Sequence, residues 1–330
     1  MMKKIEFFNF GRSAFKSGLL SYNLNTNKKI LIPEYICLEI TNSLDELSIS
    51  YEFYPVFDDL KPNWGFLEKI DKSNCSAILM VHYFGIPQDI SKFIKFSKNN
   101  NLYLIEDNAH GYGGKFKNKD LGTFGDFGIS SPRKILNLKF GGILYKNTQP
   151  LIKKIYKKNN IEIIIAIIFF ISEKLIFLKK LIKNYIKKRP LYEDPIYFKE
   201  SKKDIRLLDL FSQIQTTKIN FDNIKKIRRD IFNDWRKFAI LNDLEPIFLT
   251  LGDDIVPWCF PVNIPSNRIK IELLDWAWKN KLNVFTWPSL PLKIIKDNSN
   301  GYQIWKNVIC FSTDPVNEHV KSFLYTRYVN

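Results

Sequence analysis

The stretch IEDNAHG, residues 105–111, ends an apolar run on a carboxylate. An ionised carboxylate among apolar neighbours requires a cationic partner. A protonated ring nitrogen of a bound cofactor is one such partner, and holding it charged makes the ring an electron sink. Asp107 is the candidate, and His110 in the following turn reaches the same ligand. The ordinary alternative is a helix cap, which Asp and Asn form routinely. The segment GTFGDFGISSPRKILNLKFGG, residues 122–142, follows closely. Its small residues let backbone approach a ligand, and Ser130 and Ser131 offer hydroxyls to a phosphate. Lys134 carries an amine that forms an imine with an aldehyde if its surroundings lower its pKa. Alone, it reads as a surface lysine in a chain that holds many. A third segment, GRSAF at residues 11–15, opens a helical pattern. Arg12 and Ser13 there sit where exposed backbone N–H groups make an anion site, or Ser13 is a plain N-cap.

These residues need elements to hold them. KILIPEYICL (29–38), SISYEFYPV (48–56), SAILMVHYFG (76–85) and NLYLIEDNAHG (101–111) read as strands. DISKFIKFSKNN (89–100) has apolar residues at helical spacing. Continuous apolar strands alternating with helices predict a buried parallel sheet with right-handed crossovers. Ligands of such sheets sit at the carboxyl ends of strands, where Asp107 and His110 fall. After Lys134, GGILYKN predicts a glycine turn into a short strand. DNIKKIRRDIFNDWRKFAIL (222–241) predicts a long amphipathic helix, followed by PWCFPVNIP strand, RIKIELLDWAWKNK helix, LNVFTWP and NVICFSTD strands and a VNEHVKSFLYT helix. That order predicts a smaller α+β unit. The expected organisation is an α/β large domain over 1–150, a helical connecting region over 151–221 and a smaller domain over 222–330.

The chain has 330 residues and a formal net charge of +16. Its lysines are scattered rather than gathered into a basic stripe with interleaved aromatics, so no nucleic-acid partner is expected. An anionic substrate or a negative membrane surface fits the charge equally well. Cys37, Cys75, Cys259 and Cys310 form no CxxC pair and no disulfide-dense pattern. A reducing cytoplasm is the expected compartment, and no metal site is expected. Met1 to Phe15 is interrupted by Glu6, Asn9 and Arg12 and does not read as a signal peptide.

In order along the chain, GRSAF, ILIPEYIC, MVHYFGIPQDI, LIEDNAHGYGGKFKNKDLGTFGDFG and SPRKILNLKFGG resemble the DegT/StrS-type sugar aminotransferases. The likeness is sharpest over residues 76–145. It implies the fold-type I transferase architecture, a mainly parallel central sheet sandwiched by helices, with pyridoxal 5′-phosphate (PLP) as cofactor. By the same resemblance Lys134 is the Schiff-base lysine and Asp107 the acid at the ring nitrogen. His110 takes the place where many members have Gln, near the cofactor's phenolic oxygen. Ser131, or its neighbour Ser130, is the phosphate serine, and Arg12 and Ser13 match the phosphate turn. Cys37 lies where many members stack an aromatic on the ring. Lys139 and Phe140 precede Gly141–Gly142, where the family often has an acid in a GEGG or GDGG turn. The resemblance further implies an amino-acid donor, glutamate, a nucleotide-linked keto-sugar acceptor and a homodimer.

Two other classes stay open on these residues. A related sugar dehydratase carries His in place of the lysine, which Lys134 opposes. A degenerate relative would bind PLP or a sugar nucleotide without transferring an amino group. Residues 161–190 stand apart, with Ile164, Ile168, Ile171, Leu175, Leu178 and Ile182 at helical spacing and lysines over the later turns. The run Ile163–Ile171 is far short of the ~20 residues that a spanning helix needs. An amphipathic helix pair packing on protein and a helix in the membrane interface both fit, the latter giving peripheral membrane contact.

Overall fold

A computed structural model describes residues 4–24, 27–136, 138, 141–149, 220–264, 266–287, 289–323 and 328. Nearly all of the expected 151–221 connecting region, the 161–190 segment, Lys139 and Phe140 lie outside the described residues.

The strands of the larger sheet are β1 (Lys4–Phe8), β2 (Lys29–Pro33), β3 (Tyr51–Tyr54), β4 (Cys75–Val81), β5 (Tyr103–Asn108), β8 (Phe127–Ser130) and β9 (Gly142–Lys146). Strands β6 (Lys115–Phe116) and β7 (Lys119–Asp120) form a separate small hairpin. The seven-stranded sheet has the order β1-β9-β8-β5-β4-β2-β3. Its pairs from β3 through β8 are parallel, while β9 runs antiparallel to both β8 and β1. The mainly parallel sheet expected from the continuous apolar strands is therefore present. Strand β1 was not foreseen, because KIEFF carries Lys4 and the buried Glu6 in place of an apolar run. Lys146 on β9 donates to Glu6 Oε1 at 3.0 Å, so the buried carboxylate is paired.

Helices α1 (Gly11–Ser21), α2 (Leu38–Glu46), α3 (Trp64–Lys69), α4 (Ile90–Asn99) and the short α5 (Pro132–Leu136) accompany this sheet. Helix α4 starts where Asp89 accepts the Lys92 N–H at 3.0 Å, and buries Ile90, Phe93 and Phe96. That is the apolar stripe its sequence spacing predicts.

Beyond residue 219 come α6 (Phe221–Leu241), β10 (Glu245–Pro246), β11 (Cys259–Asn263), α7 (Asn267–Lys279), β12 (Val284–Phe285), α8 (Leu292–Lys296), α9 (Asn300–Asn307) and β13 (Val308–Ser312). The strands form an antiparallel sheet of order β10-β11-β13-β12. Both faces of this sheet are buried. Cys259, Val308 and Cys310 join the core of the large sheet, while Phe260, Val262, Ile309 and Phe311 pack with Phe232, Trp235 and Phe238 of α6. This two-sided burial explains why WCFPV and VICF read as unbroken apolar runs. At the chain end, part of the segment expected to be helical, Pro315–Phe323, forms a 3-10 helix. Among the described residues no helix is long and apolar enough to cross a membrane.

Candidate active site

Strand β5 alternates its side chains between two faces, so adjacent acids do different things. Glu106 is fully buried and saturated with donors. His82 Nε2 and the Gly122 N–H donate to Oε1 at 2.9 and 2.6 Å, and the N–H groups of Phe124 and Gly125 donate to Oε2 at 2.5 and 3.1 Å. His82 Nδ1 accepts the Gln88 N–H, which leaves the proton on Nε2. Burial alone would raise the Glu106 carboxyl, but the bonds from His82, Gly122 and Phe124 outweigh it and hold the carboxyl below its usual range. Gly122 has φ +95°, and a Cβ there would lie 2.8 Å from the Tyr145 ring, so the turn that offers its N–H to Glu106 needs glycine.

Asp107 is buried as well, yet its carboxylate accepts a hydrogen bond from the Ala109 N–H alone, at 2.8 Å, among the described contacts. Burial raises its pKa, against the pull of that N–H and of the Lys134 charge. A carboxylate has room for several acceptor bonds, so Asp107 retains capacity for a cationic group. It is not a helix cap, since it lies within β5.

Lys134 lies in α5, with its N–H donated to Ser131 O at 3.0 Å. Its ammonium sits 4.5 Å from the centroid of the Trp258 ring and 6.0 Å from that of Trp287. Burial lowers the Lys134 pKa. Cys37 and Asp107 oppose that shift, and Arg133 adds to it. The lysine is thus not the surface lysine that its residue type alone allows. His110 completes the wall. Its ring stacks on Trp258 at 4.3 Å and meets Trp287 edge-on at 4.6 Å. The Phe84 N–H donates to His110 Nδ1 at 3.1 Å, which fixes the tautomer. Burial, with the Lys134 charge, holds His110 well below the usual imidazole range, so the ring is neutral. Cys37 precedes α2, and the charges of Lys134 and Asp107 act on its thiol, which burial pushes up.

The start of α1 lies against the same block. Its N-cap is Phe10, which makes no side-chain cap, so Ser13 is not the N-cap. The Ser13 hydroxyl instead donates to Asn9 Oδ1 at 2.8 Å. A Cβ on Gly142 would fall 2.1 Å from Phe10 O, so glycine there lets the Phe10–Gly11 turn rest on β9. A Cβ on Gly11 would lie 3.7 Å from Ser131 Cβ. Arg12 and Arg133 flank the Phe10 ring at 4.6 and 5.5 Å. Ser131 donates to Gly141 O at 3.2 Å beside that turn. Ser130 faces elsewhere. It is fully buried, accepts Asn108 Nδ2 at 3.1 Å and bonds the Tyr145 hydroxyl. Of the two serines, Ser131 adjoins the α1 start.

Lys134, Asp107, His110 and Cys37 are therefore brought together, with Ser131, Arg12 and Ser13 at one end. Trp258, Trp287 and Arg228 were not foreseen. Tryptophan on a buried strand ordinarily reads as core, and Arg228 looks like one more cation on a basic helix. The donor set suits PLP: an amine with a lowered pKa, an under-bonded buried acid for a ring nitrogen, and a helix start with a serine hydroxyl for a phosphate.

Residues 54–163 match the sequence profile of the DegT/DnrJ/EryC1/StrS aminotransferase family. That stretch contains Asp107, His110, Ser131 and Lys134. The chain is 27% identical over 148 residues to the GDP-perosamine synthase of Escherichia coli O157:H7, covering 43% of this chain and 40% of that protein. It is 26% identical over 150 residues to the dTDP-4-dehydro-2,3,6-trideoxy-D-glucose 4-aminotransferase of Saccharopolyspora spinosa, covering 43% and 38%. These matches span about two fifths of the curated relatives' length. Among solved structures, Helicobacter pylori PseC, an aminotransferase involved in pseudoaminic acid biosynthesis, superposes with a TM-score of 0.66 at 16% identity, covering 97% of this chain and 86% of that one. The apo form of the putative sugar aminotransferase Spr1654 from Streptococcus pneumoniae gives a TM-score of 0.70 at 14% identity, covering 97% and 84%. Spr1654 is also known in PLP and PMP forms. The chain shares the fold of these aminotransferases, as the family resemblance in its sequence implied.

Proposed function

We propose that the protein is a PLP-dependent aminotransferase that moves an amino group from glutamate to a nucleotide-linked keto sugar. The observation that carries this reading is the placement of the half-buried Lys134 amine within electrostatic reach of the buried, under-bonded Asp107 carboxylate, beside the α1 start. PLP, when bound, supplies an aldehyde that takes up amino groups and a protonated ring that draws electrons from the bond being broken.

The chain's residues divide the remaining work. Lys134 would hold the cofactor through its amine. Once displaced by the donor, it would carry a proton between the donor α-carbon and the cofactor carbon, a role suited to an amine whose pKa is lowered. Asp107 would pair with the ring nitrogen and keep it protonated, which its retained acceptor capacity allows. Neutral His110, with Nδ1 already accepting from Phe84, offers the Nε2 proton as a donor to a cofactor oxygen. Ser131, Arg12, Ser13 and the N–H groups at the start of α1 would hold the phosphate. Cys37 would border the ring without the stacking an aromatic provides, and Trp258 and Trp287 would exclude water above the amine.

The names of the relatives from Escherichia coli and Saccharopolyspora contain nucleotide-linked sugars, and the net positive charge suits a diphosphate-bearing acceptor. The proposal extends to a homodimer, a cytoplasmic location with peripheral membrane contact as its variant, and a division into 1–150, 151–221 and 222–330. The deciding experiment is the absorbance spectrum of PLP-loaded protein before and after glutamate. Conversion to the amino form of the cofactor supports the reading. A spectrum unmoved by glutamate and other amino donors leaves a cofactor binder without transferase activity.

A further inference from the structure

Arg228 is fully buried on α6, the helix of the C-terminal half that faces α5. Its guanidinium grips the backbone that carries Lys134. Nε and Nη2 both donate to Ile135 O, at 3.0 and 2.6 Å, and Nη2 also reaches Lys134 O at 3.3 Å. The remaining arm, Nη1, donates to Thr313 Oγ1 at 3.1 Å, and Asp314 lies 3.6 Å from Nη2. Thr313 in turn faces the carbonyls of Pro257 at 2.6 Å and Trp258 at 2.9 Å. One planar group therefore connects the helix bearing Lys134 with the strand entry bearing Trp258, whose ring the Lys134 ammonium faces.

The chemistry of the contact explains the residue type. Helix α5 is only five residues long, and the carbonyls of its last turn lack intrahelical partners. A rigid fork with donors at fixed spacing satisfies one carbonyl twice and still reaches a hydroxyl on the other side, which a single ammonium cannot do. The hydrogen bonds of Arg228 in this region go to the backbone that carries Lys134, not to its amine. Its influence on that amine runs through geometry.

We infer that Arg228 is the positioning residue that fixes Lys134 against Trp258 and so makes the amine available at the cofactor site. This rests on the reading of Lys134 as the cofactor lysine. The test compares the intact protein with Arg228→Lys and Thr313→Val. Each is mixed with subsaturating PLP, reduced with borohydride and mapped by peptide mass spectrometry. In parallel, amide hydrogen exchange of the 131–136 peptide and acetic anhydride labelling of Lys134 across pH are measured without PLP. Arg228→Lys keeps the charge but loses the fork. The adduct at Lys134 should fall about tenfold, the loss of one good hydrogen-bonded contact, while adducts on surface lysines stay level. Its 131–136 amides should exchange faster, and the pH midpoint of Lys134 labelling should stay put. Thr313→Val keeps both bonds to Ile135 O and should lose less.

A variant that melts lower but retains wild-type adduct yield and wild-type exchange at 131–136 would overturn the inference. Equal losses in the two variants would do the same, since they would implicate the surrounding core rather than the fork. If the wild-type protein gives no Lys134-selective adduct, the cofactor-lysine reading falls instead. The exchange and labelling data then decide separately whether Arg228 positions the amine.

Discussion

The two faces of β5 at its carboxyl end form a contrast built from neighbouring residues. On one, Glu106 is held by His82 and three backbone N–H groups of the 122–125 turn, and its carboxyl is pulled below the ordinary range. On the other, Asp107 has one donor among the described residues, the Ala109 N–H, and a raised pKa. The difference lies in what the rest of the chain supplies to each face. The Glu106 face closes on itself and stiffens the strand end. The Asp107 face feels the Lys134 charge and keeps acceptor capacity for a ligand. A saturated carboxylate is architecture, and an under-bonded buried one is chemistry waiting for a partner.

The comparison breaks most sharply at Lys134. Lys134→Ala should lower glutamate-driven turnover by about 10³-fold or more, since acid–base catalysis by a placed side chain contributes 10²–10⁴-fold, and should abolish the borohydride-fixed adduct. A site-selective reduced PLP–lysine adduct persisting in that variant, above the level of the surface lysines, would sink the assignment. Asp107→Asn comes next. It should bind some PLP yet lose about 10²-fold in turnover, because a neutral amide cannot hold a ring nitrogen protonated. Without PLP its urea midpoint at neutral pH should equal or exceed the wild type's, as it removes a charge whose burial is unfavourable.

Glu106→Gln should do the reverse. Losing the charge-assisted bonds should destabilise the fold by about 2–3 kcal/mol, read from urea unfolding. Any loss of turnover should follow the folded fraction. If Glu106→Gln left stability intact and removed only activity, the contrast between the faces would be wrong.

A smaller effect separates the serines. Ser131→Ala should weaken PLP affinity about tenfold, equivalent to about 1.4 kcal/mol. Ser130→Ala should leave affinity near wild type and cost about 1 kcal/mol of stability through its bonds to Asn108 and Tyr145.

The smallest effect is the pH slope of apo stability. Glu106, with its lowered pKa, contributes stability present above the unfolded glutamate value and lost as pH falls through the folded one. Asp107, with its raised pKa, contributes stability present below the unfolded aspartate value and lost as pH rises through the folded one. Glu106→Gln should therefore flatten the acid limb of a midpoint-versus-pH curve, and Asp107→Asn should steepen it.

Much of the first half of the site was legible because it is local. Asp107 and His110 share one strand end, and Ser131 and Lys134 share one short helix entry, so spacing along the chain carried their proximity. Strand alternation gave Glu106 and Asp107 opposite faces, but nothing in IED said which would be saturated. That depended on the turn at Gly122 and on His82, just past the end of the neighbouring strand β4. The tryptophans were illegible for another reason. Trp258 and Trp287 lie in ordinary apolar stretches, and a tryptophan that packs a core and one that faces an amine have the same local sequence.

The sequence by itself determined the parallel sheet, the strand-end acid, the lysine block and the glycine-opened α1 start, since periodicity, turn chemistry and short-range spacing act within one segment. Only tertiary structure decided which serine adjoins α1, which carboxylate stays under-bonded, and that Arg228 from α6 holds the backbone of Lys134. Those outcomes depend on contacts between separate elements, such as His82 with Glu106, 24 positions apart, and Arg228 with Ile135, 93 apart. Only the folded core brings such partners together and removes the water that would otherwise satisfy them.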